Sequence, residues 1–204
     1  MSRLHVWTSD RGILNLGYLN YSCNWGTHIA LLYDQDSELL DLLLGVLHAG
    51  VIAKDRICCL LPASIERPLL DAYAEKYPDE LDFLKEPNFL QLSQDEHTSS
   101  FFNSNDLLVV SDLIDSLYYE SQIDTPKAVR FVLDIQQVLK GDVTPRELAE
   151  TIFRINLAVC SKDWLQISLY DLRLIPATHL MSALEQNRFV FRKNKFVLNS
   201  LYRL

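Results

Sequence analysis

The stretch WGTHIALLYDQDSELLDLLLGVLHAG, residues 25–50, decides how the chain is read. A short apolar run, Ile29 to Leu32, enters a turn, and the turn opens a strongly apolar helix. Residues 28–33 read as a strand. Ser37–Ala49 reads as a helix, with Asp36 or Ser37 as N-cap and Gly50 just past its end. Leu39, Leu40, Leu42, Leu43, Leu44, Val46 and Leu47 cover most of the helix circumference, so burial is expected. Strand, turn and helix in this order frame the phosphate loop of many α/β proteins. Such a loop needs glycines, so that backbone N–H groups close on the anion, and a lysine to reach the outer phosphates. Here the turn reads Asp34-Gln35-Asp36-Ser37-Glu38, with no glycine, no lysine and three carboxylates. Two like charges about 4 Å apart repel by roughly 4 kcal/mol at an effective dielectric of 20, so ATP held in the usual way is rejected. The same acidic groups favour the helix dipole and stabilise the helix whatever else they do.

Outward from this stretch the pattern repeats. Ile57–Leu61 is a continuous apolar run ended by Pro62, as an interior parallel strand reads. Arg67–Lys76 reads as a helix stopped before Pro78, and Phe89–Leu92 as a short strand. A helix is expected over 107–119, capped by Ser104 or Asn105. Ala128–Leu133 is a strand ended by Asp134. Thr144-Pro145-Arg146-Glu147 is a helix start with an N-cap hydroxyl, a first-turn proline and a capping-box glutamate. That helix runs to about Val159. Trp164–Leu169 is a strand and Pro176–Gln186 a helix. Phe189–Arg192 and Lys195–Leu198 close the chain as two strands joined at Lys193-Asn194. Residues 1–27 read as irregular. The alternation implies an α/β fold, a mostly parallel sheet with helices on both faces and an antiparallel edge.

A chain of 204 residues suits one domain with a substantial core, and 49% hydrophobic residues is ordinary for a globular domain. The formal charge is −8, and the only basic grouping is Arg188, Arg192, Lys193 and Lys195. Nucleic-acid binding is therefore not expected. No apolar run is long enough for a membrane span, and the N-terminus lacks the apolar core of a signal peptide, so a cytoplasmic location is expected. Cys23, Cys58, Cys59 and Cys160 form no C-x-x-C pair and read as buried thiols; Cys58 and Cys59 should face opposite sides of one strand. His5, His48, His97 and His179 have no metal-ligand spacing.

The same stretch is similar to the opening of MEDS domains, sensory domains of methanogen and methylotroph regulators. That opening has a histidine, a tyrosine, an acidic turn and a helix leading to a glycine, matched here by His28, Tyr33, Glu38 and Gly50. VRFVLDI resembles the family's central strand, with Arg130 and Asp134. ISLYDLRLIPATHLMSALEQNRFVF and NKFVLNSLY resemble its closing segment, with Tyr170-Asp171, Arg173, Leu180, Ala183-Leu184, Asn199 and Tyr202 in order. The resemblance covers about 16–203 of a single domain spanning 1–204, with 1–15 as an irregular extension. Two cysteines common in the family are Ala30 and Ser168 here, which puts thiol-based sensing in doubt. A frequent His-Pro is Asn187-Arg188. The resemblance implies a RecA-like fold of the circadian-clock ATPase class that has lost its phosphate chemistry. It also implies a sensor of small hydrocarbon derivatives or related signals, coupled to a regulator or kinase.

The residues themselves allow several roles. Asp34, Asp134 and Asp171 fall at carboxyl ends of strands, where open α/β sheets bind ligands. His28 lies at the opposite end of its strand, and a structural role is favoured for it. Asp134 reads first as a helix cap. Tyr33 and Tyr170 are equally readable as pocket walls or amphipathic core. Asp171-Leu172-Arg173 reads as an internal ion pair. The ligand-site set is His28, Tyr33, Asp34, Glu38, Arg130, Asp134, Tyr170 and Asp171, with no catalytic residue, metal or cofactor expected. The expected function is non-catalytic sensing of a small neutral organic ligand through a partner protein, with homo-oligomers possible. The alternatives are a ligand-free assembly module and a residual nucleotide binder.

Overall fold

A computed structural model describes residues 13–17, 21–24, 26–84, 90–92, 128–139, 143–160, 164–193 and 195–201. The helix expected over 107–119, with Ser104, Asn105, His5 and His97, lies outside these residues. Seven strands form one sheet: β3 (Thr27–Tyr33), β4 (Arg56–Leu60), β5 (Leu90–Leu92), β6 (Val129–Asp134), β7 (Trp164–Asp171), β8 (Phe189–Arg192) and β9 (Lys195–Leu198). Their order is β5-β4-β6-β7-β3-β8-β9. Every neighbouring pair is parallel except β8 and β9. Every residue of β3, β4, β6 and β7 is buried, which explains their near-continuous apolar runs.

Helices cover both faces. Leu39, Leu43 and Leu47 of α1 (Asp36–Ala53), with Leu69 and Tyr73 of α2 (Ala63–Lys76), pack on Ile29, Leu31, Ile57, Val132 and Ile167. On the other face, Leu148, Ile152, Ile155 and Val159 of α5 (Pro145–Cys160) and Ala183 of α6 (Ala177–Leu184) pack on Ala30, Leu60, Phe131 and Tyr170. Two single-turn helices, α3 (Leu81–Leu84) and α4 (Ile135–Val138), lie in the connections. Cys58 belongs to one core and Cys59 to the other, as the period of a strand requires. The arrangement is a three-layer α/β fold consistent with the RecA-like class.

Among the boundaries that differ from those read in the sequence, three have a visible packing reason. The first is at α1, which starts at Asp36 behind Gln35 and runs past Gly50 to Ala53. Gly50 lies inside the helix, packed so closely on β4 that a Cβ would lie 2.6 Å from Ile57 Cδ1. The left-handed cap falls instead on Lys54, at φ 57°. The second is at α2, which starts at Ala63 rather than Arg67. The Pro62 carbonyl accepts the N–H groups of Ile65 and Glu66 at 2.9 and 3.0 Å, so the first turn closes directly behind β4. Pro68 lies inside the helix. The third is in the stretch 1–27, which contains a hairpin of β1 (Ile13–Asn15) and β2 (Ser22–Asn24). Three-residue strands are too short to show alternation. Contact with the domain holds this hairpin: Gly17, at φ 78°, approaches α1 so closely that a Cβ would lie 1.9 Å from the Gly45 carbonyl oxygen. The Thr144–Glu147 capping box is present, with the Thr144 N–H donating to Glu147 Oε2 at 2.8 Å and the Glu147 N–H donating to Thr144 Oγ1 at 3.3 Å.

Candidate functional site

The carboxyl ends of β3, β6 and β7 lie side by side. Tyr33 pairs in register with Asp171, and Asp134 with Leu169. After β3 the chain turns to the α1 face; after β7 it continues to α6 on the opposite face. Where neighbouring parallel strands send their chains to opposite faces, the connections diverge and leave a crevice. A cleft of about 420 Å³ opens there. Tyr33, Asp134 and Asp171 line it because alternate side chains of a strand share a face, and these three share the α1 face. Leu39, Leu40, Ile65 and Leu174 give it apolar walls.

Arg173 is the only Lys or Arg among the described residues lining the cleft, and it is already engaged. It donates to Asp171 through Nε (2.8 Å to Oδ1) and Nη2 (2.6 Å to Oδ2), a bidentate fork. Nη2 also donates to Asp36 Oδ1 at 2.6 Å, so one guanidinium ties the end of β7 to the first turn of α1. The guanidinium carbon stands 5.9 Å from the centre of the Tyr33 ring. Burial pushes the Asp171 carboxyl upward, but the Arg173 side-chain and backbone hydrogen bonds and its charge together outweigh this. The net effect holds Asp171 below the usual carboxylate range. Burial, followed by the charges of Asp134 and Asp171, pushes the Tyr33 phenol well above its ordinary value, so it stays neutral.

Asp134 performs the capping role read for it: Oδ1 accepts the Gln136 N–H at 3.0 Å at the start of α4. Gln136, which sequence reasoning missed, lines the cleft beside it. Its Nε2 is buried and has no hydrogen-bond partner among the described residues. Its place two residues beyond a strand-ending aspartate was the available signal.

The other expected site residues lie elsewhere. Asp34, just after β3, and Glu38, in the first turn of α1, are half-buried and do not line the cleft; of the three carboxylates at 34–38 only Asp36 does. Tyr170 points to the opposite face, where its hydroxyl accepts from Asn187 Nδ2 at 3.1 Å. One residue of register separates it from Asp171 and places it in the core. His28 is buried near the amino end of β3, and burial, then the Arg188 charge, lowers its pKa to about 4. Arg130 is buried toward the amino end of β6, with Nε donating to Asp55 Oδ2 at 2.8 Å and Nη1 to the Asn15 carbonyl at 2.9 Å. Four residues of strand, about 13 Å, separate Arg130 from Asp134. Among the described residues no group of three or more His, Cys, Asp or Glu is placed to hold a metal ion, and no helix is long and apolar enough to cross a membrane.

The family model MEDS, described as the methanogen/methylotroph, DcmR sensory domain, matches residues 27–186, from the first residue of β3 to the end of the turn after α6. The chain belongs to the MEDS family, matched over a narrower span than the 16–203 resemblance read in the sequence. No curated protein matches the chain.

Proposed function

We propose that this member of a sensory-domain family is non-catalytic, binds a small neutral organic ligand in the cleft at the carboxyl edge of the sheet, and signals through a partner protein. The observation that carries the reading is the cleft's polar composition. Its one guanidinium is neutralised by two carboxylates, Asp134 adds a further carboxylate, Tyr33 is a neutral phenol, and Gln136 offers a buried amide donor. An anion meets three carboxylates against one guanidinium among the described lining residues. A neutral molecule with one acceptor for Gln136 Nε2 and an apolar body against Leu40, Ile65 and Leu174 meets complementary groups. An inherited frame whose phosphate chemistry has been lost accounts for the glycine-free turn at 34–38.

A second reading, an assembly module without ligand, is favoured by Phe153 and Leu157, 54% and 58% exposed one turn apart on α5. Thermal melts with neutral, cationic and anionic small molecules separate the readings. A ligand at about 100 times its Kd adds roughly 2.7 kcal/mol. Stabilisation by neutral compounds, lost in Gln136→Ala, supports the proposal. Stabilisation by nucleotides or other anions that Asp36→Ala does not strengthen refutes it, because removing Asp36 takes away one of the two carboxylates that neutralise Arg173. No stabilisation by any class, with concentration-dependent assembly, favours the second reading.

A further inference from the structure

The basic residues noted in the sequence converge on one edge of the fold. Arg188, Arg192, Lys193 and Lys195 belong to or flank the β8–β9 hairpin, and no Asp or Glu occurs from Asn187 to Leu204 in a chain of net charge −8. β9 ends the sheet order, and among the described residues no strand pairs with its outer side. The ladder fixes which backbone groups face outward. Asn199 N–H donates to the Arg188 carbonyl at 2.8 Å, and the register continues as Phe189↔Leu198, Val190↔Val197 and Phe191↔Phe196. Hydrogen-bonded pairs alternate in an antiparallel ladder. Val197 therefore bonds inward to Val190, while the N–H and C=O groups of Phe196 and Leu198 point away from the sheet. The side chains beside them are apolar and uncovered: Val197 is 51% and Leu198 67% exposed.

The edge is held rigid. Phe189 stacks on Phe196 at 5.0 Å between centroids. The Asn199 side chain donates to the Leu184 and Asn187 carbonyls at 2.6 and 2.8 Å, fixing the chain just after β9. A preformed edge loses little conformational freedom when another strand adds to it. A second copy pairing through its own β9 adds further basic residues and no Asp or Glu to the same edge, which disfavours a second copy as the occupant.

We propose that the outer edge of β9 is the docking site for an extended acidic segment of a partner protein, which adds as a strand through the outward backbone groups of Phe196 and Leu198 while its carboxylates meet Arg192, Lys193 and Lys195. This rests on the reading that the chain signals through a partner, and not on the nature of the cleft ligand. A nucleic acid would use the charge but not the strand-edge N–H and C=O groups, so the acidic peptide is the better match.

The test is fluorescence anisotropy of the intact protein with three labelled probes of about eight residues: alternating Glu and Val, alternating Lys and Val, and the acidic probe with alternate backbone nitrogens methylated. The acidic unmethylated probe should bind at least about tenfold tighter than the other two, and more weakly as salt is raised. Leu198→Pro removes an outward N–H without touching the β8–β9 ladder and should weaken binding by about tenfold or more. Lys195→Glu should weaken it about fivefold and keeps the test open if Leu198→Pro fails to fold. Equal binding of the methylated probe, or wild-type affinity in both variants, overturns the proposal. So does an oligothymidine that binds where the acidic probe does not. The melts with cleft compounds read the ligand proposal separately, so either can fail alone.

Discussion

The two ends of the sheet each carry an arginine–aspartate pair, and the pairs differ in what surrounds them. At the amino end, Arg130 and Asp55 are 1% and 8% exposed and lie beneath the β1–β2 hairpin, whose Asn15 carbonyl takes a further guanidinium N–H. At the carboxyl end, Asp171 is 4% exposed but its partner Arg173 is 46% exposed and stands at the rim of an open cleft. The same two residue types make a closed structural tie in one place and an accessible, cleft-facing one in the other. Burial of the cation decides between them. A guanidinium sealed in the core has no alternative partner, whereas one at a cleft rim remains within reach of whatever enters.

The largest effect is expected where the pair is sealed. Arg130→Met leaves the Asp55 carboxylate buried without its cation and should cost about 3–5 kcal/mol in urea unfolding, with much of the loss recovered in Arg130→Met/Asp55→Leu. Arg173→Gln should cost clearly less, because solvent takes over the carboxylates it leaves. If the two single variants prove equally destabilising, the contrast between the ends is wrong.

The next effect is in pH. His28, also toward the amino end, is held neutral by burial with a pKa of about 4 against an ordinary 6.5. Between those values the unfolded chain binds a proton that the folded chain does not, so this contribution is present above pH 6.5 and is lost as pH falls toward 4. The loss should approach about 3 kcal/mol and be absent in His28→Leu. Asp171, whose carboxyl is held below its usual range, acts at lower pH: its contribution is present above the unfolded carboxylate value and disappears as pH falls through the folded one. A melt series in which Asp171→Asn rather than His28→Leu removes the dependence above pH 4.5 would reverse this assignment. The smallest effect is on the rim of the carboxyl end: Thr144→Ala removes the capping hydroxyl of α5 and should cost about 1 kcal/mol by chemical denaturation.

The strands and most helices of this fold are legible in the sequence because apolar runs such as ICCLL and AVRFVL, and caps such as Thr144–Glu147, are local signals. The sites are less so. Asp134 ending β6 and the Asp171–Arg173 pair could be read, since a strand end and an i, i+2 pair are also local. Tyr170 could not be placed, because which side of β7 faces the cleft depends on register against β3 and β6. Arg130 entered the expected site through the resemblance of VRFVLDI to the family's central strand. Its partner, Asp55, is remote in sequence and no local pattern connects them. The hairpin at 13–24 escaped for the same reason: its stability comes from Gly17 against Gly45 and from Arg130, all contacts at long separation.

The central claim is that the carboxyl end, and not the amino end, receives the ligand. Hydrogen–deuterium exchange of the intact protein, with and without a neutral compound that raises its melting temperature, tests this directly. Protection is expected at the ends of β3, β6 and β7 and the first turn of α1, around Tyr33, Asp36, Gln136 and Arg173. No change is expected in the β1–β2 hairpin or around Asp55. Protection confined to the hairpin and the amino ends of the strands, with the cleft residues unchanged, would contradict the account.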